Sequence, residues 1–284
     1  MRVVCVGDCG IDHYVPSNER RCGGITANFA RHARREFPAD DRIEIVSCVG
    51  SDDGAALVKA SLANSGISCH ISELPGTTPV QTIEIDSSGE KNFVRYDEGV
   101  LRDFTFGANE REMIASCDLL VAPVYLQIVD LFDDLMMVQR AGLTAVDFSD
   151  FLQHPDFALL ERHLDCIDIG FFGLSVGDAD AIDRLADLAA SNKKLFIVTL
   201  GADGSRAFHG ASRFECLATP VEKVVDTTGA GDAFAAAFLA SYCHGAGVRD
   251  AMKRGATLAA EVVGYCGSYV LPTSAMTSTI KMRR

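Results

Sequence analysis

Asp226-Thr227-Thr228-Gly229-Ala230-Gly231-Asp232 runs directly into AFAAAFLASYC (233–243), a glycine-rich turn that opens an alanine-rich helix. The first N–H groups of a helix have no partner inside it. Here the side chains around them are hydrogen or methyl, so an anion can approach, and the helix dipole adds favourable potential. Asp232 falls in the first turn, at the edge of that anion pocket. A carboxylate there can orient a hydroxyl and take its proton while the N–H groups stabilise a phosphoryl group in transfer. The bare pattern also allows a plainer reading, in which Asp232 only complements the dipole and the glycines only make the turn.

Outward from this turn, short β-branched runs alternate with longer helical patterns, the signature of a mostly parallel sheet covered by helices. The core strands are expected at RVVCVG (2–7), EIVSCVG (44–50), DLLVAP (118–123), LTAVDF (143–148), DCIDIGF (165–171) and LFIVTL (195–200). Helices are expected near 25–36, 53–65, 109–116, 128–141, 178–191, 230–244 and 248–264. Within 178–191, Ala181, Ile182, Leu185, Leu188 and Ala189 share one face and the acids take the other, which predicts a core-facing helix. Residues 67–100 break the alternation, reading as successive strands with no helix between them. QTIEID, a Ser-Ser-Gly turn and KNFVRY form a hairpin pattern with polar residues alternating along both arms. A second polar excursion lies at 12–22, and the two together predict a small sheet standing over the main one as a lid.

The chain has 284 residues, of which 48% are hydrophobic and 23% charged, enough apolar side chain to bury a large core and to exclude wholesale disorder. That length fits one α/β domain over 1–284, with lid excursions at about 12–22 and 67–100. A formal net charge of −13 argues against general nucleic-acid or anionic-membrane binding. No apolar run approaches the length of a membrane span. Ten scattered cysteines contain no CxxC pair and no zinc spacing, and Met1-Arg2-Val3-Val4 already begins a strand-like run. These features lead us to expect a reduced, cytoplasmic protein without a leader.

DTTGAGDAF (226–234) resembles the C-terminal signature of the PfkB, or ribokinase-like, carbohydrate kinases. Three further motifs are similar to that family's and follow its order. Gly23-Gly24-Ile25-Thr26-Ala27-Asn28 resembles its substrate-binding turn. Val49-Gly50-Ser51-Asp52-Asp53-Gly54 resembles the next element, one residue short before its last glycine. Thr199-Leu200-Gly201-Ala202-Asp203-Gly204 is similar to its nucleotide-contacting turn. The resemblance spans about 1–272 and implies a ribokinase-like three-layer αβα core with a small β-sheet lid. It also implies Asp232 as catalytic base and Gly229, Ala230 and Gly231 as the anion hole. Asp8, Asp12, Gly23, Gly24, Asn28 and Arg95 would bind the sugar, while Thr199, Gly201, Gly204 and Thr228 would meet ATP. Asp226 would help to hold a monovalent cation such as K+, and Mg2+ would bridge the nucleotide phosphates. A carboxylate such as Asp12 suits a polyol because it accepts hydroxyl protons that water would otherwise take.

Three phrases look most like the fructoselysine 6-kinases: GDCGIDHY (7–14), YDEGV (96–100) and VDFSD (146–150). The extra carboxylates Asp8, Asp97, Glu98 and Asp150 would suit a sugar bearing an amine, or would simply be solvated acids. Ribokinase, fructokinase and nucleoside kinase activities are alternatives within the family. One departure stands out: where many members carry N-x-x-E, residues 171–178 read FFGLSVGD, with Asp178 and Asp180 as candidate substitutes. That stretch also contains a formal G-x-S-x-G around Ser175, with His209 and His244 downstream, so a serine hydrolase is a rival reading. A sugar-binding regulator without turnover is another. The exposed edges of a lid sheet further predict a homodimer through that sheet.

Overall fold

In the computed structural model, residues 1–15, 17–151 and 157–269 are described, without the side chain of Asp150. The chain opens with β1 (Arg2–Val6), β2 (Gly10–Val15), β3 (Glu19–Gly23), α1 (Ile25–Glu36), β4 (Arg42–Val49), α2 (Asp53–Leu62) and β5 (Ser68–Glu73). It continues with β6 (Val80–Ile85), β7 (Lys91–Asp97), α3 (Ala108–Ala115), β8 (Leu119–Pro123), α4 (Val129–Met136), β9 (Leu143–Asp150) and α5 (Phe157–Arg162). The last third holds β10 (Ile169–Gly173), α6 (Ala179–Asn192), β11 (Leu195–Thr199), β12 (Ser205–His209), β13 (Ser212–Cys216), α7 (Ala230–Cys243) and α8 (Val248–Val262).

The large sheet has the order β13-β12-β11-β10-β9-β8-β1-β4-β5. From β11 to β5 every pairing is parallel; β12 and β13 add an antiparallel hairpin at one edge. Successive residues of a strand face opposite sides, so Val3 and Cys5 pack with α1, α2, α7 and α8, while Val4 and Val6 pack with α3 to α6. This is the three-layer αβα core expected from the motifs. The alanines of α7 are its packing device: Ala233, Ala236 and Ala237 are fully buried, and their small size lets the helix lie between α1 and α8.

A second sheet, β3-β2-β6-β7, is built from the two polar excursions, with β2 parallel to β6. One part of the 67–100 expectation needs correcting. Ser68–Glu73 pairs in parallel with β4 and forms the edge of the main sheet, not the lid. Its hydrophobic side chain Ile71 packs on the main core, and the chain leaves for the lid only after Asp52 has fastened the backbone of Thr78 (3.0 Å). The DCIDIGF strand likewise starts later, at Ile169, because residues 164–166 form a helical turn. The α4 pattern ends early at Met136, where the Arg140 guanidinium donates to the carbonyl of Val138 (2.7 Å). The β12–β13 hairpin escaped notice because Arg206, His209, Arg213 and Glu215 give this edge too polar a pattern.

The chain passes from β1 to β4 on one side and returns to β8 on the other, so the sheet order reverses between β1 and β8. In open α/β sheets the crevice beyond the carboxyl ends of the strands at such a point is where ligands bind.

Candidate active site

A cavity of about 1110 Å³ lies beyond those carboxyl ends, between the main sheet, the lid and the start of α7. Asp232 stands at its floor, 7% exposed, and accepts a hydrogen bond from Asn28 Nδ2 at 3.0 Å. Burial pushes its carboxyl well above the ordinary carboxylate range, and the charges of Asp147 and then Asp8 push the same way. The Asn28 amide and the Lys91 ammonium pull it back.

The turn before α7 has the form that the sequence suggests. Gly229 adopts φ +79°, a left-handed conformation costly for other residues, and a side chain there would meet Ser268 Cβ at 2.4 Å. Among the described residues, a Cβ at Gly231 would meet nothing within 4 Å, and this glycine lines the cavity. Of the three expected anion-hole residues, Ala230 turns its N–H to the carbonyl of Thr227 (3.3 Å). Among the described residues, no hydrogen bond engages the N–H groups of Gly231 or Asp232. Asp226 is fully buried and holds the turn from below, accepting from Thr228 N (2.8 Å) and Gly267 N (2.7 Å). The buried Thr228 hydroxyl beside it lies near the Tyr14 hydroxyl and makes no hydrogen bond of ordinary geometry among the described residues.

The sugar-binding candidates gather around the same cavity, Asn28 in contact with Asp232. Asp12, 4% exposed, is driven up to about 7 by burial and by the charges of Asp8 and Asp226, against the pull of Arg31 and Arg21. Gly23 lies across from it, so close that a Cβ there would fall 2.1 Å from the Asp12 carboxyl carbon. Asp8 accepts from Ile25 N (3.1 Å) and Thr26 N (3.2 Å), so it caps α1 as well as lining the cavity. Gly24 and Asn28 also line it. Arg95 reaches the rim, largely exposed and 3.5 Å from Asp97. Of the acids singled out beside a possible amine, Asp97 accepts from Gly99 N (3.1 Å) and Glu98 is paired with Arg102, and neither lines the cavity. The Asp150 side chain lies outside the described residues.

Thr199, Gly201 and Gly204 line the far end of the cavity, facing an apolar wall of Ala256, Ala259 and Val263 from α8 and its end. Flat apolar surface beside a turn of exposed backbone suits a nucleobase and its ribose. The β6–β7 turn of the small sheet meets the turn before α7. Thr227 donates its N–H to Gly89 O (3.1 Å) and its hydroxyl to Glu90 (2.9 Å), and accepts from Lys91 N (3.1 Å).

Sequence reasoning missed Lys91, Asp147 and the hydroxyl-bonded pair Tyr96 and Tyr125 (2.8 Å). Asp147 sits inside the VDFSD phrase, and its place at the carboxyl end of a parallel strand was the available signal. Lys91 gave none, because it comes near Asp232 only once the lid is laid over the core. The substitutes suggested for N-x-x-E do not fill that place. Asp178 accepts the N–H and hydroxyl of Ser175 (both 2.7 Å) at the start of α6, Asp180 is exposed, and neither lines the cavity. The hydrolase reading fails on position. Ser175 follows the carboxyl end of β10, whereas His209 is in register with Leu195 at the opposite end of β11. His244 faces Asp41 (3.0 Å), which lies against the amino terminus of the chain.

A sequence profile described as pfkB family carbohydrate kinase matches residues 2–274. The chain is 31% identical over 265 residues to fructoselysine 6-kinase of Shigella flexneri, covering 93% of this chain and 98% of that one. Among solved structures, the adenosine kinase from Sinorhizobium meliloti superposes with a TM-score of 0.82 at 22% identity, covering 99% of both chains. A putative ribokinase II from E. coli, in complex with ATP and Mg2+, superposes with a TM-score of 0.78 at 20% identity, again covering 99% of both.

Proposed function

The chain belongs to the pfkB family of carbohydrate kinases, and on that premise we propose that it transfers the γ-phosphoryl group of ATP to a primary hydroxyl of a fructosamine. The observation that carries the reading is Asp232, buried at the floor of the cavity, beside open backbone N–H groups and facing Asp12 and Asn28. The sugar lies between Asp12, the 23–28 turn and the lid; the nucleotide lies along 199–204 and α8. Asp232 orients the acceptor hydroxyl and takes its proton as the new P–O bond forms. The N–H groups of Gly231 and Asp232 face the transferred phosphoryl oxygens. The docked lid tip excludes water, which otherwise competes as acceptor.

Among the described residues, no group of three or more His, Cys, Asp or Glu is placed to hold a metal ion. Magnesium would come with the nucleotide and would supply charge neutralisation at its phosphates. A monovalent cation such as K+ beside Asp226 belongs to the same proposal, supported by the buried carboxylate and the buried Thr228 hydroxyl. The fructosamine assignment rests on the three phrases, on the acidic lining Asp8, Asp12 and Asp147, and on the similarity to fructoselysine 6-kinase. The test is a coupled ADP assay against fructosamines, hexoses, pentoses and nucleosides. Turnover confined to hexoses, pentoses or nucleosides would replace the acceptor, and silence with sugar still bound would favour a regulator.

Asp12 gives a pH signature. Near pH 7 it is about half protonated in the free protein, given its raised value. Sugar hydroxyls that donate to it favour the ionised form. Binding is expected to release about half a proton per sugar at pH 7 and to weaken as pH falls below 7. Calorimetry in buffers of different ionisation enthalpy, with the Asp232→Asn protein so that Asp232 does not titrate, reads this directly. A heat independent of buffer would remove Asp12 from the sugar site.

No helix among the described residues is long and apolar enough to cross a membrane. The ten cysteines are free, which suits a cytoplasmic setting. The β3 and β7 edges of the small sheet support a homodimer through the lid. Sedimentation at micromolar protein is expected to give twice the chain mass, and a monomer there would refute that assembly.

A further inference from the structure

Residues 266–268 are fastened to three separate parts of the site. The Cys266 carbonyl accepts from Arg21 of the lid, and Gly267 N donates to Asp226 under the anion turn (2.7 Å). The Ser268 carbonyl accepts from His32 Nε2 on α1 at 2.9 Å. The backbone of Ser268 also presses on Gly229, leaving no room for a side chain there. The Ser268 side chain is thus held at one place, 3% exposed, and its hydroxyl donates to Asn28 Oδ1 at 2.7 Å. The other end of the same amide donates from Nδ2 to Asp232 Oδ2 at 3.0 Å.

An asparagine amide is nearly symmetric in shape, so its two orientations differ chiefly in which partner meets the donor and which the acceptor. We propose that Ser268 is a positioning residue, whose hydroxyl fixes the Asn28 amide so that its N–H side is presented to Asp232. With Oδ1 satisfied by the serine, Nδ2 holds the carboxylate with one N–H and keeps the second for the cavity, which Asn28 lines. Without that hydroxyl, a flipped amide whose Oδ1 accepts a hydrogen bond from a neutral Asp232 competes, and the base is both misaimed and protonated. Burial, Asp147 and Asp8 already favour the neutral form, and Lys91 is the other group opposing them. The serine therefore acts through one hydrogen bond on the ionisation of another residue.

The inference rests on Asp232 being the base, and its test separates the two. Ser268→Ala removes one buried oxygen and adds no bulk. It is expected to lower kcat about 3- to 10-fold, the usual worth of one orienting hydrogen bond. It should also move the acid limb of the kcat profile to higher pH, since Asp8, Asp147 and Lys91 are unchanged in the variant. In an Asn28→Ala background the same change should cost less than about 1.5-fold, because the amide through which it acts is gone. A loss of equal size in both backgrounds, an unmoved acid limb, or full activity in Ser268→Ala would overturn the proposal. If the Asp232→Asn control kept wild-type turnover, the base assignment itself would fall.

Discussion

Asp232→Asn is expected to reduce kcat by about 10²- to 10⁴-fold, the range set by loss of a positioned general base. The substitution keeps shape, and an asparagine oxygen still accepts from Asn28 Nδ2, so the affinities for sugar and ATP should change little. Stability should move the opposite way. Burial raises the Asp232 carboxyl well above its ordinary range, so its ionised form is a charge that the folded surroundings disfavour. The unfolded aspartate ionises near pH 4, so the penalty grows as pH rises from about 4 toward the raised value and is complete above it, which makes the mutant the more stable of the two at the upper end of that window. Thermal melts at pH 8 are therefore expected to show a higher Tm for the mutant, alongside nearly abolished turnover in the coupled ADP assay. Equal kcat in mutant and wild type would rule out the role.

The second large effect is expected at Gly231. Among the described residues, an alanine there meets no neighbouring atom within 4 Å, and the position lies in the first turn of α7. Replacing a helical glycine removes backbone freedom from the unfolded chain, stabilising by about 0.5–1 kcal/mol. The added methyl nevertheless points into the space where the transferred phosphoryl group must approach the N–H groups. A displacement of about 1 Å there costs on the order of 10²-fold in rate. The combination of a raised Tm, a much reduced kcat/KM for ATP and unchanged sugar binding would be hard to produce by misfolding. Unchanged kinetics would place the phosphoryl group elsewhere.

Much of this was legible in the chain. The alternation of β-branched runs with amphipathic segments specified a helix-covered parallel sheet, because burial on both faces demands continuous apolar strands. The open glycine turn at the start of α7 was legible because it is backbone geometry, carried by residues adjacent in sequence. The family resemblance put Asp12, Asn28 and Asp232 at one site, and all three line one cavity. Illegible were the contacts made across long separations. Ser68–Glu73 read as lid because its own pattern is that of a polar edge strand, and only pairing with β4 places it in the main sheet.

The layered fold, the helix that presents Asp232 and the acidic residues of the cavity wall each follow from local pattern or residue type, so the chain alone specifies them. Tertiary structure alone decided which groups tune that aspartate. Asp147 arrives from β9, Lys91 from the lid tip, and Ser268 through Asn28 across 240 residues of chain. Electrostatic and hydrogen-bond energies depend on distances of a few ångströms and on exclusion of water, and neither quantity exists until the layers have packed. The same packing separated Ser175 from both candidate histidines, dissolving a motif that was formally present in the chain.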